Sequence, residues 1–252
     1  RYFFMPEGYM MTGWISFGRT RYYLMPDGHM LTGWCSFGST KYYLASDGKM
    51  VRGWQTIDGK RYYFNDDGVM QTGWQTIDGK KYFFMPEGYM MTGWISFGQT
   101  RYYLDKNGVM QTGWQTIDGK RYFFMPEGYM MRGWISFGQT RYYLMPDGYM
   151  LTGWCSFGST KYYLASDGKM VRGWQTISGK KYYFNTDGIM QTGWQTIDGK
   201  KYFFMPDGYM MTGWISFGKT RYYLDKNGVM QTGWINSGGQ WYYLDQSGAM
   251  QT

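Results

Sequence analysis

The residues of this sequence with the clearest capacity to bind a ligand are tryptophans that recur every twenty positions. Each follows a glycine, and a tyrosine or phenylalanine stands nine positions later, as Tyr23 does after Trp14. Such rings can leave one face open to a ligand while their polar edges form hydrogen bonds. The candidate groove residues are Trp14, Trp34, Trp54, Trp74, Trp94, Trp114, Trp134, Trp154, Trp174, Trp194, Trp214, Trp234 and Trp241, with Tyr23, Tyr43, Tyr63, Tyr103, Tyr143, Tyr163, Tyr183, Tyr223 and Tyr243.

Groups that could support catalysis or hold a metal are scarce by comparison. The single histidine, His29, is matched by Tyr149 in the equivalent copy, and the adjacent pair Asp66-Asp67 is typical of a turn. No Cys-x-x-Cys spacing is present. We therefore predict no catalytic residues, no metal site, no cofactor and no enzymatic activity.

The two cysteines, Cys35 and Cys155, occupy the same position of the repeat, where other copies carry Ile or Gln. Several copies of the repeat separate them, and a disulfide requires Cα atoms within about 7 Å. We expect no intramolecular disulfide, and an intermolecular bridge is the alternative.

These candidates stand in a repeat of twenty residues that runs in register along the whole chain. Within each copy, position two is Tyr, position eight Gly, position ten Met, and positions thirteen and fourteen Gly-Trp. A short fixed period predicts a repeat architecture. The pattern predicts one array over 1–252, which starts and stops in mid-pattern and is therefore expected to be part of a longer array.

A longer period is superimposed on the short one. Residues 1–114 recur as 121–234 with nine differences, among them Thr12 against Arg132 and Asp58 against Ser178. The array therefore consists of two near-identical units, 1–120 and 121–240, and a partial copy, 241–252. The two units are expected to do the same thing.

Each copy predicts one β-hairpin and a loop. In the segment Thr72–Phe84, aromatic-rich runs flank Asp78-Gly79, and Asp-Gly between short apolar runs favours a turn with positive φ. Alternation along the second strand turns position two and position four inward. We expect Gly13 and its equivalents to let neighbouring backbone come close. The fold predicted is all-β, a β-solenoid of about twelve stacked hairpins.

Composition narrows the class further. Aromatic residues make up 22% of the chain, which is unlike a disordered segment. No apolar run approaches the ~18 residues of a membrane helix, and we expect any signal peptide to lie outside this part of the array. The net charge is +8, with Lys or Arg at position one of twelve copies, so that one face is either solvated or attracts a polyanion.

The Gly-Trp pair, the following Tyr-Tyr-Phe/Leu run and the Gly-x-Met loop resemble the choline-binding repeat of Gram-positive surface proteins. They also resemble the short repeats of large clostridial toxins and the glucan-binding repeats of streptococcal glucosyltransferases. This resemblance implies a solenoid with roughly three hairpins per turn. It also implies a secreted or cell-surface protein of a Gram-positive bacterium.

In choline-binding repeats a quaternary ammonium lies in a cage formed by two Trp residues seven positions apart, with an aromatic residue and Met from the next copy. Here only Trp241, seven positions after Trp234, keeps the second Trp, because Arg or Lys replaces it elsewhere. A cation in the cage wall opposes choline. The glucan-binding resemblance implies instead that sugars stack on the aromatic rings and form hydrogen bonds with Lys, Arg and Asp.

The leading hypothesis is a non-catalytic attachment module that binds cell-wall polymer or glycan in aromatic grooves between hairpins. A structural stalk or self-associating fibre without a small ligand is the alternative, and nucleic-acid binding is a weaker third. The side chain at position one discriminates between the first two. If it lies over the preceding Trp, the groove is closed, and if it points away, an aromatic shelf is left for sugar.

Overall fold

The computed structural model describes residues 2–251, so the ends of the predicted array, Arg1 and Thr252, lie outside the described residues. The prediction of an all-β fold is confirmed, since all regular elements between residues 2 and 251 are strands and turns. No helix of the length and hydropathy needed to cross a bilayer occurs in that range.

Residues 2–251 form twelve two-stranded antiparallel hairpins, each joining strands that are consecutive in sequence. Every strand has five residues, and the first strand of each hairpin begins at the glycine of Gly-Trp. The strands are β1 (Gly13–Phe17), β2 (Thr20–Leu24), β3 (Gly33–Phe37), β4 (Thr40–Leu44), β5 (Gly53–Ile57), β6 (Lys60–Phe64), β7 (Gly73–Ile77), β8 (Lys80–Phe84), β9 (Gly93–Phe97), β10 (Thr100–Leu104), β11 (Gly113–Ile117), β12 (Lys120–Phe124), β13 (Gly133–Phe137), β14 (Thr140–Leu144), β15 (Gly153–Phe157), β16 (Thr160–Leu164), β17 (Gly173–Ile177), β18 (Lys180–Phe184), β19 (Gly193–Ile197), β20 (Lys200–Phe204), β21 (Gly213–Phe217), β22 (Thr220–Leu224), β23 (Gly233–Ser237) and β24 (Gln240–Leu244).

Two kinds of turn close these hairpins. In β5–β6 both central residues have positive φ, 49° at Asp58 and 74° at Gly59, as in a type I′ turn. In β1–β2 only the first central residue, Gly18, has positive φ (59°), as in a type II′ turn. The Asp-Gly prediction is therefore confirmed, and a Gly in the first central position provides the other solution.

The kind of turn goes with a different residue in the core. In β5 the buried side chain is Ile57 at position seventeen, and Gln55 at position fifteen is half-buried. In β1 the buried side chain is Ile15 at position fifteen, while Phe17 is exposed. Position four is fully buried in both kinds, as Phe64 shows. Most hairpins thus fall into two packing types; the exceptions are β3 and β15, which bury neither position, and β23, which buries position fifteen although both central residues of its turn have positive φ.

Consecutive hairpins interlock through a Met-Gly contact. A Cβ placed on Gly188 would lie 2.5 Å from the sulfur of Met170 in the preceding loop, so a larger residue at position eight would require the methionine side chain to move. The expectation that Gly13 permits a close approach is wrong, because nothing lies within 4 Å of a Cβ built there. Gly13 is required instead by its φ of 77°.

The chain divides into two compact units. One comprises the described residues up to Thr116 together with Phe123–Met130, and the other comprises Ile117–Tyr122 and the chain from Met131 onward. Within each unit, hairpins pack on their neighbours in sequence, and a backbone hydrogen bond links position ten to position one of the preceding hairpin. An example is Met70 N–H donating to the Lys41 carbonyl at 2.9 Å.

Candidate binding grooves beside the tryptophans

Each predicted tyrosine at position three packs on the tryptophan of its own hairpin. Trp34 lies directly across from Tyr43, and their ring centroids are 5.1 Å apart in an edge-on arrangement. The same pairing, with centroids 5.0 to 5.3 Å apart, holds for Tyr23, Tyr63, Tyr103, Tyr143, Tyr163, Tyr183, Tyr223 and Tyr243. These tyrosines therefore support the tryptophans.

The tyrosine at position two of the next hairpin forms the opposite wall. Tyr62 lies 5.0 Å from Trp34, and Tyr182 lies 5.0 Å from Trp154, between ring centroids. Alternation along the strand predicts that position two belongs to the core. Tyr62 is both a core residue and a groove residue, because it is buried yet presents part of its ring to the groove beside Trp34. Alternation within one strand gave no signal of this contact between hairpins.

Among the described residues, the cation at position one covers at least seven of the candidate tryptophans. The guanidinium of Arg61 lies 4.4 Å from the ring centroid of Trp54. The same arrangement, at 4.5 to 5.3 Å, is seen for Arg21 on Trp14, Lys81 on Trp74, Arg101 on Trp94, Arg141 on Trp134, Lys201 on Trp194 and Arg221 on Trp214. Cation–π attraction favours this cover.

Three tryptophans inside the array are more exposed than these. Trp34, Trp154 and Trp174 expose 41%, 43% and 38% of their surface. Across residues 2–251 their position-one lysines, Lys41, Lys161 and Lys181, make no cation–π contact. The side chain at position one therefore differs between copies: in most it covers the ring face of the preceding tryptophan, and in these three it leaves the ring face open.

The three open shelves form the floors of grooves. The Trp34 groove, of about 300 Å³, is lined by Trp34, Cys35, Ser36, Lys41, Tyr62 and Glu87. The Trp154 groove, of about 380 Å³, is lined by Trp154, Cys155, Ser156, Lys161, Tyr182 and Asp207. The Trp174 groove, of about 230 Å³, is lined by Trp174, Lys181, Tyr202, Met210 and Asn227.

The Trp34 groove carries both signs of charge. Lys41 and Glu87 line it without forming an ion pair within residues 2–251. Burial raises the pKa of the Cys35 thiol, and the same holds for Cys155 in the Trp154 groove. Burial, followed by the negative charge of Asp58, raises the pKa of Tyr62. The groove therefore offers a neutral thiol and phenol between a cation and a carboxylate at neutral pH.

The remaining predicted residues occupy other settings. Trp114 is half-buried and packs on Phe123 of its hairpin at 5.2 Å. Trp234 and Trp241, the one pair that keeps both cage tryptophans, are 68% and 67% exposed and lie on the same strand face as Tyr243. On the surface, a hydrogen bond of 2.8 Å joins the Tyr2 hydroxyl and the Nε2 atom of His29.

Two further grooves are almost wholly apolar. One, of about 400 Å³, is lined by Phe83, Met85, Pro86, Met91, Trp94, Ile95, Ser96 and Phe97. Its counterpart in the second unit has the same eight residue types at positions 120 residues later. Both cysteines are free, and no cluster of three or more potential metal ligands occurs among the described residues.

Comparison with known structures identifies similar repeat proteins of Streptococcus pneumoniae. CbpJ is 28% identical, with a TM-score of 0.76 over 96% of this chain and 100% of that one. Choline binding protein F, crystallised in the presence of a peptidoglycan analogue, is 32% identical, with a TM-score of 0.62 over 87% and 92%. The modular autolysin LytC is 26% identical, with a TM-score of 0.56 over 88% and 53%. No curated protein sequence matched the chain.

Family models match most of the repeat array. A model of a cell wall binding repeat matches residues 32–50, 152–170 and 232–250, which contain Trp34, Trp154 and the Trp234–Trp241 pair. A model of the choline-binding repeat matches residues 51–75, 71–111, 111–144, 171–194 and 191–231. The resemblance seen in the sequence is confirmed, and the chain belongs to the choline-binding repeat family.

Proposed function

We propose that this chain is a non-catalytic module that attaches a bacterial surface protein to the cell wall by binding wall glycan in its open aromatic grooves. The observation that carries the proposal is the exposure of Trp34 and Trp154, whose lysines leave the rings uncovered. These grooves recur 120 residues apart with the same residue types except Glu87 and Asp207, which are both acidic. Two equivalent sites in one chain favour attachment through multivalent binding.

The lining of the Trp34 groove suits a sugar. The ring face of Trp34 offers apolar area to the C–H face of a pyranose. Lys41 can donate hydrogen bonds to the hydroxyl groups of the sugar, and Glu87 can accept hydrogen bonds from them. A concave site with an aromatic floor and a few polar groups is typical of small-molecule recognition.

The same lining disfavours choline in this groove. The Lys41 ammonium stands where the second cage tryptophan would be, and like charges repel a quaternary ammonium. Choline binding protein F was crystallised in the presence of a peptidoglycan analogue, a tetrasaccharide-pentapeptide, which supports a wall saccharide as the class of ligand. The exposed Trp234–Trp241 pair keeps the two tryptophans of the choline cage.

A spacer role is the second candidate, and the covered tryptophans favour it for the rest of the array. Arg61 packs on the ring of Trp54, and the equivalent cations pack on their tryptophans, so these ring faces serve the contact between hairpins and are not open to a ligand. We propose that these copies hold the open grooves apart and that catalysis is left to other proteins or domains.

The two cysteines provide a direct test, because the chain contains only Cys35 and Cys155 and each lines one groove. Alkylation by iodoacetamide is followed at each cysteine by mass spectrometry, with and without soluble peptidoglycan glycan fragments. We expect the fragments to slow alkylation at both cysteines, and choline chloride to leave it unchanged.

Variants connect this protection to the grooves. Trp34→Ala with Trp154→Ala, or Lys41→Ala with Lys161→Ala, should weaken binding to isolated cell walls. Lys106→Ala with Lys226→Ala, which removes the same charge from two exposed loop positions, should leave it unchanged. Alkylation that is unaffected by saturating fragments, or wall binding that is unchanged by loss of both tryptophans, would refute the proposal.

A further inference from the structure

The two units contain a natural comparison between a covered and an open tryptophan. The Trp174 groove is lined by Trp174, Lys181, Tyr202, Met210 and Asn227. The equivalent residues in the first unit are Trp54, Arg61, Tyr82, Met90 and Asn107, so the position-one cation is the only lining residue that differs.

The backbone holds this cation in the same way in both units. Met90 N–H donates to the Arg61 carbonyl at 2.6 Å, and Met210 N–H donates to the Lys181 carbonyl at 2.7 Å. The tyrosine wall is also conserved, with Trp54–Tyr82 and Trp174–Tyr202 centroids both 4.9 Å apart. The difference between the two places therefore begins at the side chain of position one.

The side chains behave differently despite these equal surroundings. The Arg61 guanidinium lies over Trp54, whereas Trp174 is 38% exposed and Lys181 makes no such contact among the described residues. A planar guanidinium stacks on an aromatic face and is weakly hydrated, while an ammonium is compact and strongly hydrated. A lysine ammonium therefore stacks on the tryptophan ring less tightly than an arginine guanidinium does.

Other copies agree with this ordering. Five arginines that cover a tryptophan lie 4.4 to 4.7 Å from the ring centroid, namely Arg21, Arg61, Arg101, Arg141 and Arg221. Of the lysines, Lys81 and Lys201 lie over Trp74 and Trp194 only at 5.3 and 5.0 Å, and the other three leave the ring uncovered. Arginine gives the tight cover, and lysine gives a loose cover or none.

We propose that the residue at position one acts as a gate that sets which grooves of the array accept a ligand. Arg61 closes the shelf of Trp54, and Lys181 opens that of Trp174 as a third site. Because Asn227 takes the place of Glu87 and Asp207, this third groove keeps its lysine ammonium without a carboxylate and favours a saccharide unit that carries a negative charge. The role of this gate in wall attachment rests on the proposed function. The covering or uncovering of the ring by the residue at position one does not depend on that function.

Exchanging the two cations tests the gate without any ligand. The protein is labelled with 5-fluorotryptophan, and the resonances are assigned with Trp54→Phe and Trp174→Phe. Broadening by a neutral soluble nitroxide then reports the accessibility of each ring. We expect Trp174 to be broadened more than Trp54, Lys181→Arg to protect Trp174, and Arg61→Lys to expose Trp54. Trp34 serves as the internal control, since neither exchange touches its groove.

Both exchanges place a residue that the repeat already uses at that position, so circular dichroism should show a retained fold. If broadening at Trp54 and Trp174 is unchanged by the exchanges, the gate is overturned, whatever Trp34 binds. If broadening responds but no groove binds a wall glycan, the gate stands and the proposed function fails. Where glycan binds, Lys181→Arg should weaken its affinity at Trp174 by about two- to fivefold, because the ligand must displace the stacked cation.

Discussion

The sulfur of Met170 lies only 2.5 Å from the position that a Cβ atom would take on Gly188. Met170 is buried, so the contact is part of the packing between consecutive copies. The same relation recurs along the array, for example between Met230 and Gly248 at 2.6 Å. The invariant methionine and the invariant glycine are thus two halves of one joint.

This joint predicts a large effect of a small substitution. Gly188→Ala should lower the free energy of unfolding by about 2–5 kcal/mol, from left-handed backbone and overpacking together. Gly173→Ala, with a φ of 66° and no atom within 4 Å of the new Cβ, should lose only the backbone part. Urea denaturation measures both. The cost of Gly188→Ala should shrink in a Met170→Ala background, and an equal cost in both backgrounds would contradict the joint.

The turn at Ser178 is expected to be suboptimal. Ser178 has a φ of 49°, where the equivalent residue of the other unit is Asp58. Asn tolerates the left-handed region better than Ser, so Ser178→Asn should raise the midpoint of thermal unfolding. Thr196→Asn, within strand β19, should lower it because Asn is disfavoured in strands. A lowered midpoint for Ser178→Asn would count against the turn assignment.

A guanidinium links hairpins that are not adjacent. Arg172 Nη1 donates to the Gln139 carbonyl and Nε donates to the Thr186 carbonyl, both at 2.6 Å. Arg172→Thr should lower the free energy of unfolding by about 1–3 kcal/mol. Arg132→Thr is the matched control, since Arg132 forms no such hydrogen bond among residues 2–251 and Thr12 stands there in the first unit. Equal losses in the two variants would disprove the link.

The thiols of Cys35 and Cys155 in the grooves should lose their protons at a higher pH than the thiols of the unfolded chain. Burial raises the pKa of Cys35 and Cys155, so less thiolate is present at a given pH in the folded protein. The rate of alkylation should therefore rise with pH along a curve whose midpoint lies above that of the urea-unfolded chain. The stability that these thiols contribute is full below the unfolded pKa and is lost as the pH rises through the folded one. A midpoint at or below the unfolded value would contradict their burial.

The sequence was sufficient to predict the hairpins, because their signals are local. Asp78-Gly79 has positive φ at both residues, as turn chemistry requires, and the Gly-Trp pair opens each first strand. The core position Phe64 followed from alternation along one strand. Local rules thus predict each copy of the repeat.

The grooves depend on relations between copies, which local rules do not contain. Tyr62 reaches Trp34 across hairpins, and Glu87 comes from a third copy. Whether a cation covers its tryptophan depends on the difference between Arg61 and Lys181, a single residue that alternation and turn chemistry treat as equivalent. The candidate tryptophans could be named from sequence, but the open ones among them could not.

The two packing types of hairpin have a consequence for how such an array can grow. Trp14 meets Phe37 of the next hairpin, a residue that only one type carries at position seventeen, whereas Trp54 meets a hairpin with Ile77 there. Deleting or inserting one copy by recombination would therefore give several rings a new neighbour. Copying a block of six preserves every neighbour except at the junction, and the 105 identities in 114 positions are the pattern that such copying would leave.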